Sequence, residues 1–394
     1  MSALPRYAAR LLLPLAMLLI NVSLLAAETT PYSVRAFDPR VQHGIDLIYN
    51  LQFETADRYF EEIIAADPAN PLGHFFLAMV TWWRVLIDLE DRRHDEAFYQ
   101  LLDRCIEVCD QRLSATPRDF DAVLFKAGAI GFRGRLRGNR GQYVRAASDG
   151  LKCVPLLQIS RELEPDNKDI LFGQGVYNYF IEVIPQKYPV VRPITWLLPK
   201  GKRETGLEQL RLVAAEGQYS GTEALYFLAQ IHRLFERDRE TSLQYLEQLH
   251  RRYLENSIFH RFTARTLVEV GQWSRGTALF EKVIRRADAK HVGYHVFGQV
   301  EALYYVGQNE WLRRRYEEAI PLLERAARLA TGQPRTSMRK YRTLCLLLLG
   351  KAHDVRGDRE EALDRYAQVR ALPNYGTSHD QAKTYFETPY RELR

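Results

Sequence analysis

The sequence of 394 residues lacks the short motifs that accompany common catalytic chemistries. It has no HExxH motif of a zinc-dependent hydrolase, no GxSxG motif around a nucleophilic serine and no CxxC motif. No glycine precedes Gly201 and Lys202 at the spacing of a phosphate-binding loop. We therefore predict that the protein is not an enzyme and that it uses no cofactor.

Alternating runs of polar and apolar residues, which form half-buried β-strands, are also absent. Apolar residues recur at helical spacing instead, as at Ile45, Ile48, Tyr49 and Phe53. Proline, glycine, aspartate and asparagine interrupt this pattern at residues 67–71, 116–117, 165–167, 271 and 357–358. The sequence therefore predicts an all-α fold of helices joined by short turns.

Cysteine is scarce, with four residues in the chain. Cys105 and Cys109 are four residues apart on one predicted helix, a geometry that disfavours a relaxed disulfide between them. A disulfide from either one to Cys153 is the alternative. We expect all four cysteines to be small buried residues at helix contacts, because cysteine is among the most buried residue types.

Metal-binding patterns are equally sparse. His291 and His295 are four residues apart and would share one face of a helix, as two metal ligands can. No carboxylate or third ligand lies at a matching local spacing. We predict no metal site.

The first 27 residues have the organisation of a secretory signal peptide. Arg6 and Arg10 form a charged start, residues 11–25 are nearly all apolar, and small residues precede a cleavage point after Ala27. The apolar run is shorter than the roughly 20 residues that span a bilayer. We expect an extracytoplasmic protein, periplasmic or secreted, with residues 28–394 as a single domain. An uncleaved membrane anchor is the alternative.

Small and aromatic residues recur at the spacing of a helix-hairpin repeat. In such a repeat one small residue from each helix lies where the two helices cross, and an aromatic ring fills the adjacent space. Two copies keep the full spacing: Gly44, Ala56 and Phe60, and Gly350, Ala362 and Tyr366. Two more copies keep only the half that belongs to the second helix: Gly276 with Phe280, and Ala319 with Leu323.

This spacing resembles the tetratricopeptide-repeat family from about residue 38 to about residue 373. Leu346 and His353 stand where the family motif has aromatic residues. The resemblance implies an α-solenoid of stacked antiparallel helix hairpins that holds a protein or peptide along its concave surface. Some members bind carboxylates through a Lys/Asn clamp, which has no recognisable counterpart in the degenerate middle repeats of this chain.

A proline-rich interval in the middle of the chain, at about residues 181–205, does not fit the repeat. Four prolines within fifteen residues exclude a regular helix there. Tyr188, Trp196 and the aliphatic residues around them are types that disordered segments lack. We expect an ordered insert that folds back against the helices.

Acidic residues are missing from two successive segments. Residues 122–148 contain six cations and residues 183–203 contain five, with no Asp or Glu in either. Concentrated positive charge steers anionic partners, and guanidinium groups suit carboxylates and phosphates. The predicted partner-binding residues are Arg133, Arg135, Arg137, Arg140, Tyr188, Arg192, Trp196, Lys200, Lys202 and Arg203. A solvated helix face is the alternative interpretation of these cations.

These patterns predict a non-enzymatic extracytoplasmic scaffold. It would bind a protein or peptide with an anionic patch, through its concave surface and its basic central region. The first alternative is a peripheral protein that docks on anionic lipid through residues 183–203, where aromatic, aliphatic and cationic residues mix. The second is a small-ligand binder or enzyme with a pocket under the insert. Nucleic acid is not an expected partner, because export separates the protein from it.

Overall fold

The computed structural model describes residues 39–187, 192, 196 and 199–392. The predicted signal peptide, residues 1–27, and Tyr188 lie outside the described residues. Within them the chain forms α-helices joined by short connections and no β-strand. This confirms the predicted all-α fold class.

Sixteen of the described α-helices follow one another as eight hairpins, and a last helix follows them. The first four hairpins are α1 (Pro39–Tyr49) with α2 (Phe53–Ala66), α3 (Pro71–Ile87) with α4 (Asp95–Ala115), α5 (Phe120–Asn139) with α6 (Tyr143–Leu163), and α7 (Ile170–Lys187) with α8 (Arg203–Glu216). The remaining helices are α9 (Gly221–Ile231), α10 (Arg239–Arg252), α11 (Ser257–Glu269), α12 (Trp273–Asp288), α13 (Val296–Leu312), α14 (Tyr316–Leu329), α15 (Thr336–Arg356), α16 (Arg359–Arg370) and α17 (Ser378–Glu387). A π-helical segment, His232–Glu236, follows α9 directly.

The hairpins stack on their neighbours as a solenoid, with each helix packed against the next one along the chain. The predicted helix breaks coincide with the turns. Side chains cap several helix starts there: Asn70 accepts a hydrogen bond from the Leu72 amide, and Asp119 accepts one from the Ala122 amide. Asn256 accepts from the amides of both Ile258 and Phe259.

The predicted small residues lie where paired helices cross. A Cβ atom at Gly44 would meet the ring of Phe60, and one at Gly350 would meet the ring of Tyr366. Both rings are fully buried. These contacts confirm the role predicted for the two complete repeat copies.

The two incomplete copies are also crossings, but their first helices use residues that the sequence pattern did not identify. A Cβ atom at Gly276 would lie 2.9 Å from the carbonyl oxygen of Ala264, and one at Gly307 would lie 2.9 Å from Leu323. Ala264, Gly307 and Gly350 are each 43 residues apart. The last three hairpins therefore repeat regularly at a period longer than the usual 34 residues.

The second half of the chain packs back onto the first two hairpins. The buried ring of Trp83 on α3 lies 5.4 Å from the ring of Phe259 on α11 and 6.0 Å from that of Tyr226 on α9. Tyr49 on α1 lies 5.1 Å from Tyr253, and its carbonyl accepts a 2.8 Å hydrogen bond from Asn256. We call this cluster of Tyr49, Trp83, Tyr226, Tyr253 and Phe259 the closure cluster.

Polar side chains also join the first two hairpins to the second half of the chain. Both terminal nitrogens of Arg335, just before α15, donate to the carboxylate of Asp88, just after α3. The Ser337 hydroxyl donates to Glu90 over 3.3 Å. The Arg335 guanidinium also lies 5.2 Å from the ring of Phe297 on α13. The first two hairpins thus contact helices of the second half of the chain through polar groups as well as through aromatic rings.

The cysteines follow the prediction. Cys105, Cys109, Cys153 and Cys345 are all buried, and none forms a disulfide. Burial raises the pKa of the Cys345 thiol, so this thiol stays protonated at neutral pH.

The interpretation of His291 and His295 as neighbours on one helix face was wrong. Both lie in the connection before α13, where Gly293 has φ +80° and breaks the helical path. Both histidines are exposed, and the His295 ring stacks on Phe297. No group of three potential metal ligands occurs among the residues that the structure describes.

The helices of the described residues are also too short or too polar to cross a bilayer. Over the described ranges, none combines the length and the apolar character that crossing a membrane requires.

A half-buried histidine and a buried one stack between α10 and α11. The rings of His250 and His260 lie 4.8 Å apart, and the His260 Nδ1 lies 3.0 Å from the Tyr294 hydroxyl. Burial is the main cause that lowers the pKa of His250 to about 4 and that of His260 to about 3, from the ordinary value of 6.5. Both rings are therefore neutral in the folded protein at neutral pH.

We expect the free energy of unfolding to fall as the pH drops from 6.5 towards 4. The unfolded chain takes up protons at these two histidines in that window and the folded chain does not, so each contributes a slope of up to about 1.4 kcal/mol per pH unit. His250→Phe keeps the ring stack and should reduce the slope measured by urea unfolding. His291→Asn, at an exposed histidine, should leave the slope unchanged; equal slopes for all three proteins would contradict the assignment.

The helix crossings allow a second stability test. Gly350→Ala forces a methyl group against the Tyr366 ring and should lower the free energy of unfolding by about 1–3 kcal/mol. Gly150→Ala is the matched control, because a Cβ at this position in α6 meets nothing within 4 Å. It should be neutral or stabilising by up to about 1 kcal/mol. Equal effects in urea unfolding would show that the Gly350 crossing is not tight.

Candidate partner-binding site

Two arginines of the first acid-free segment bind a buried carboxylate of the chain itself. Asp149 on α6 is 0% exposed and receives hydrogen bonds from Arg133 over 3.1 Å and from Arg137 over 2.6 Å. Arg133 also donates to Asp103 on α4 over 2.8 Å. Gly134 lets α5 approach this carboxylate, since its Cβ position is 3.1 Å from the Asp149 Cβ. These arginines join α4, α5 and α6.

Arg135 lies on a different side of α5, next to the closure cluster. It donates over 2.6 Å to Glu223, whose other oxygen accepts a 3.0 Å hydrogen bond from the Tyr49 hydroxyl. The guanidinium lies 4.3 Å from the ring of Phe227 and 4.7 Å from that of Trp82. Arg135 therefore links α5 to α1, α3 and α9.

Arg140, at the end of α5, holds the connection between α3 and α4. It donates to both oxygens of Asp95, over 2.6 and 2.7 Å, and to the carbonyl oxygens of Leu89 and Asp91. Its side chain is 7% exposed. All four predicted arginines of this segment thus have counter-charges within the chain, and their role in binding a partner stays a prediction.

In the second acid-free segment, Arg203 is also paired internally. Its guanidinium donates to both oxygens of Glu236, which also accepts a 2.5 Å hydrogen bond from the Tyr179 hydroxyl. The hydrogen bonds from Arg203 are the main cause that lowers the pKa of Glu236. The Arg203 amide donates to Glu182 on α7 over 2.8 Å. The start of α8 is therefore tied to α7 and to the π-helical segment.

The π-helical segment His232–Glu236 supports both ends of the insert. It ends at Arg237, which adopts the left-handed conformation with φ +58°. Besides Glu236, it offers the Leu234 carbonyl and the Phe235 ring, which lie 3.3 and 4.2 Å from the Lys187 ammonium. Single turns of π-helix often occur at functional sites.

The chain leaving the insert lies flat against α7. The Tyr177 hydroxyl donates a 2.6 Å hydrogen bond to the Pro199 carbonyl. A Cβ atom at Gly201 would lie 2.8 Å from the Cα of Asn178, so no side chain fits there. For residues 199–203, this agrees with the expected folding back against the helices.

The helix before the insert runs further than predicted. Pro185 was placed in a non-helical interval, but α7 continues through it to Lys187. A proline within a helix removes a backbone hydrogen bond and crowds the carbonyl four residues earlier, and α7 ends two residues after Pro185. The Pro185 carbonyl accepts a 3.0 Å hydrogen bond from the Arg192 side chain.

Four predicted residues of the insert are exposed. Trp196 is 85% exposed, and its amide donates to the carbonyl of Arg192, which is also exposed. Lys200 and Lys202 are exposed and form no hydrogen bond or ion pair through their side chains with any described residue. Leu234 on the π-helical segment is 48% exposed. Exposed residues of the insert and of the segments next to it are Lys187, Arg192, Trp196, Lys200, Lys202 and Leu234, and we call this set the insert face.

Sequence reasoning missed the contribution of the π-helical segment. Residues 232–236 continue the helical apolar pattern of α9, and only Asp238, which caps the Thr241 amide, signals a new helix start. The insert face combines an aromatic ring, an aliphatic side chain and ammonium groups. It can bind an anionic surface that also offers apolar contact.

Comparisons with known proteins support the repeat architecture. Residues 263–334 match the family model of the tetratricopeptide repeat. No curated protein matches the sequence.

Solved structures similar to this chain include repeat proteins of low identity. A tetratricopeptide repeat protein from Parabacteroides merdae is 13% identical, with 78% of this chain and 97% of that chain covered and a TM-score of 0.33. The P58(IPK) TPR domain is 15% identical, with 88% and 95% covered and a TM-score of 0.26. The human IFIT1 dimer with PPP-AAAA is 14% identical, with 84% and 71% covered and a TM-score of 0.41.

The contacts of Glu236 predict that its charge protects the end of the insert from proteolysis. Glu236→Gln removes the charge that holds Arg203 and should raise the rate of tryptic cleavage after Lys200 and Lys202 about tenfold, because a hydrogen bond between charged groups contributes about 1.5–3 kcal/mol. The matched control is Glu208→Gln at an exposed position on α8, which should not change the rate. Equal cleavage of both variants would show that Glu236 does not anchor the insert.

Proposed function

We propose that this chain, which belongs to the tetratricopeptide-repeat superfamily, is a non-catalytic scaffold that holds a protein partner with an anionic patch against its insert face. The observation that carries this proposal is the 85% exposure of Trp196, with two more exposed residues, Lys200 and Lys202, four and six positions later in the sequence. Tryptophan is enriched among the residues that dominate binding energy in protein interfaces. The neighbouring ammonium groups supply complementarity to an anionic partner.

The pairing of charges favours the insert face over α5. An anion that approached Arg133, Arg135 or Arg137 would have to compete with Asp149 or Glu223, which are buried. Removing an arginine from a buried carboxylate leaves an uncompensated charge at high cost. Lys200 and Lys202 have no such internal competitor among the described residues.

The closure cluster supports the same choice. The family resemblance implies binding along one face of the solenoid, but α1 and α3 pack against α9 and α11 here. A partner at that part of the face would have to displace fully buried aromatic rings. The insert face is accessible without any such rearrangement.

The proposal includes an extracytoplasmic location. Its support is the charged start at Arg6 and Arg10, the apolar run of residues 11–25 and the small residues that end at Ala27. The partner would then be a protein of the same compartment or a domain exposed to it.

Anionic lipid is the second candidate, and the same exposed tryptophan favours it. Tryptophan and lysine side chains are typical of segments that lie at the surface of anionic membranes. Trp196 and Leu234 would enter the headgroup region while the lysines contact phosphates.

A photo-crosslinking amino acid in place of the exposed Pro199, which leaves Trp196, Lys200 and Lys202 unchanged, tests the main proposal in intact cells. We expect one dominant protein adduct, because a specific interface holds one partner at this position. Lys200→Glu with Lys202→Glu should abolish the adduct by reversing the charge of the insert face. Mass spectrometry of the adduct identifies the partner and shows whether its contacting surface is acidic.

The matched control is Lys282→Glu with Lys290→Glu, which changes the net charge equally at exposed lysines on or just after α12. It should leave the adduct unchanged, and a crosslinker at the exposed Leu254 should give no such adduct. An adduct insensitive to the insert lysines would contradict the proposal. Lipid labelling together with flotation on vesicles containing phosphatidylglycerol, both lost in the double Lys→Glu variant, would favour the membrane instead.

A further inference from the structure

A cleft of about 240 Å³ opens between the second helices of the last two hairpins. Its walls come from α14 and α16, and its floor comes from α15. We call it the α14–α16 cleft. The apolar part of its lining consists of Ala327, Leu346 and Leu349, all buried.

The polar part of the lining includes two neutral residues, Thr331 and Gln368, and four charged ones. Three arginines, Arg328, Arg342 and Arg365, and one carboxylate, Glu324, contribute to it. Glu324 is shared, since it lies 3.4 Å from Arg328 and 3.9 Å from Arg365. The cleft therefore has more positive than negative charge at its surface.

Arg342 is the least satisfied of these groups. Its Nε is buried without a hydrogen-bond partner, and its side chain makes no hydrogen bond, ion pair or ring contact with the residues that the structure describes. A buried donor without a partner is destabilising, so each one in a folded protein needs an explanation. A ligand in the cleft that accepts from Arg342 would provide one.

Arg365 points to the same chemistry. Its Nε is also buried without a partner. Its terminal nitrogens lie 3.3, 3.5 and 3.9 Å from Asp364, Glu361 and Glu324, longer than the roughly 2.7–2.9 Å of a strong charge-assisted hydrogen bond. Its capacity to donate is therefore only partly used.

We propose that the α14–α16 cleft binds a small carboxylate on an apolar stem, with Arg342 as the group that receives the carboxylate. Guanidinium groups match the planar geometry of carboxylates. The stem would lie against Ala327, Leu346 and Leu349. The volume is below the roughly 300–1,000 Å³ of sites for drug-sized ligands, so it fits one branched side chain or a small organic acid.

This site is separate from the insert face, and it does not depend on the proposed function. The carboxylate can belong to a free organic acid or to the carboxyl end of a peptide. Both ligands would present the same group to Arg342. N-acetyl-leucine represents the peptide end, 4-methylpentanoate represents the free acid, and N-acetyl-leucinamide has the stem without the charge.

Isothermal titration of the three compounds into the full chain tests the proposal. We expect saturable binding of at least one acid and none of the amide. Tighter binding of N-acetyl-leucine identifies a peptide end, and binding of 4-methylpentanoate equal to or tighter than that of N-acetyl-leucine identifies a free acid. Arg342→Gln should weaken the binding about tenfold or more, because a hydrogen bond to a charged group is lost.

Arg339→Gln is the matched control, since Arg339 is exposed on the same helix and carries the same charge. It should bind the acids as the unmodified chain does. Ala327→Leu should abolish binding by filling the cleft without changing its charge. If the Arg342 variant does not fold, this variant tests whether the acids bind in the cleft. Binding of the amide, no binding of either acid, or equal affinity in Arg342→Gln or Ala327→Leu would overturn the proposal.

Discussion

The aromatic contact between Trp83 and Phe259 is the constraint on which the rest of this fold depends. A solenoid stabilised only by neighbouring hairpins would leave the faces of α3 and α11 independent. Here the rings of Tyr49, Trp83 and Phe259 are buried together. Burying large aromatic side chains contributes about 1.5–3 kcal/mol each. The fold therefore gains stabilising contacts between helices that are distant in the sequence, which a linear array lacks.

The charged network follows from this closure. Glu223 is buried because α9 packs near α1 and α3, and a buried carboxylate requires compensating donors. The Tyr49 hydroxyl and Arg135 supply them. The Asp88–Arg335 pair closes the same junction nearer the C-terminus. The arginines of α5 are close together in the sequence but bind different carboxylates of the chain. The helix that faces each arginine determines its partner.

The sequence predicted the local features of the fold and missed the long-range ones. The Gly44–Phe60 and Gly350–Tyr366 crossings follow from spacing within one hairpin, so a sequence pattern contains them. The absence of Asp and Glu from residues 122–148 did not predict that the arginines of α5 would bind carboxylates of the chain itself. Asp149 lies one residue beyond this segment, and Glu223 lies on a distant helix. The contact between α3 and α11 joins hairpins that are distant in the sequence. A spacing pattern within one hairpin contains no information about it.

The same reasoning explains why Lys200 and Lys202 differ from the arginines of α5. A cation within a packed hairpin loses hydration and must find a carboxylate, whereas a cation on an insert outside the stack keeps its water and needs none. Arg203 lies at the boundary between these environments, and the Glu236 that compensates it comes from the π-helical segment. The insert can therefore present unpaired charge and an exposed tryptophan at no cost to the stability of the stack. The side chains of such an insert are also free to vary without disturbing the helix crossings that hold the hairpins together.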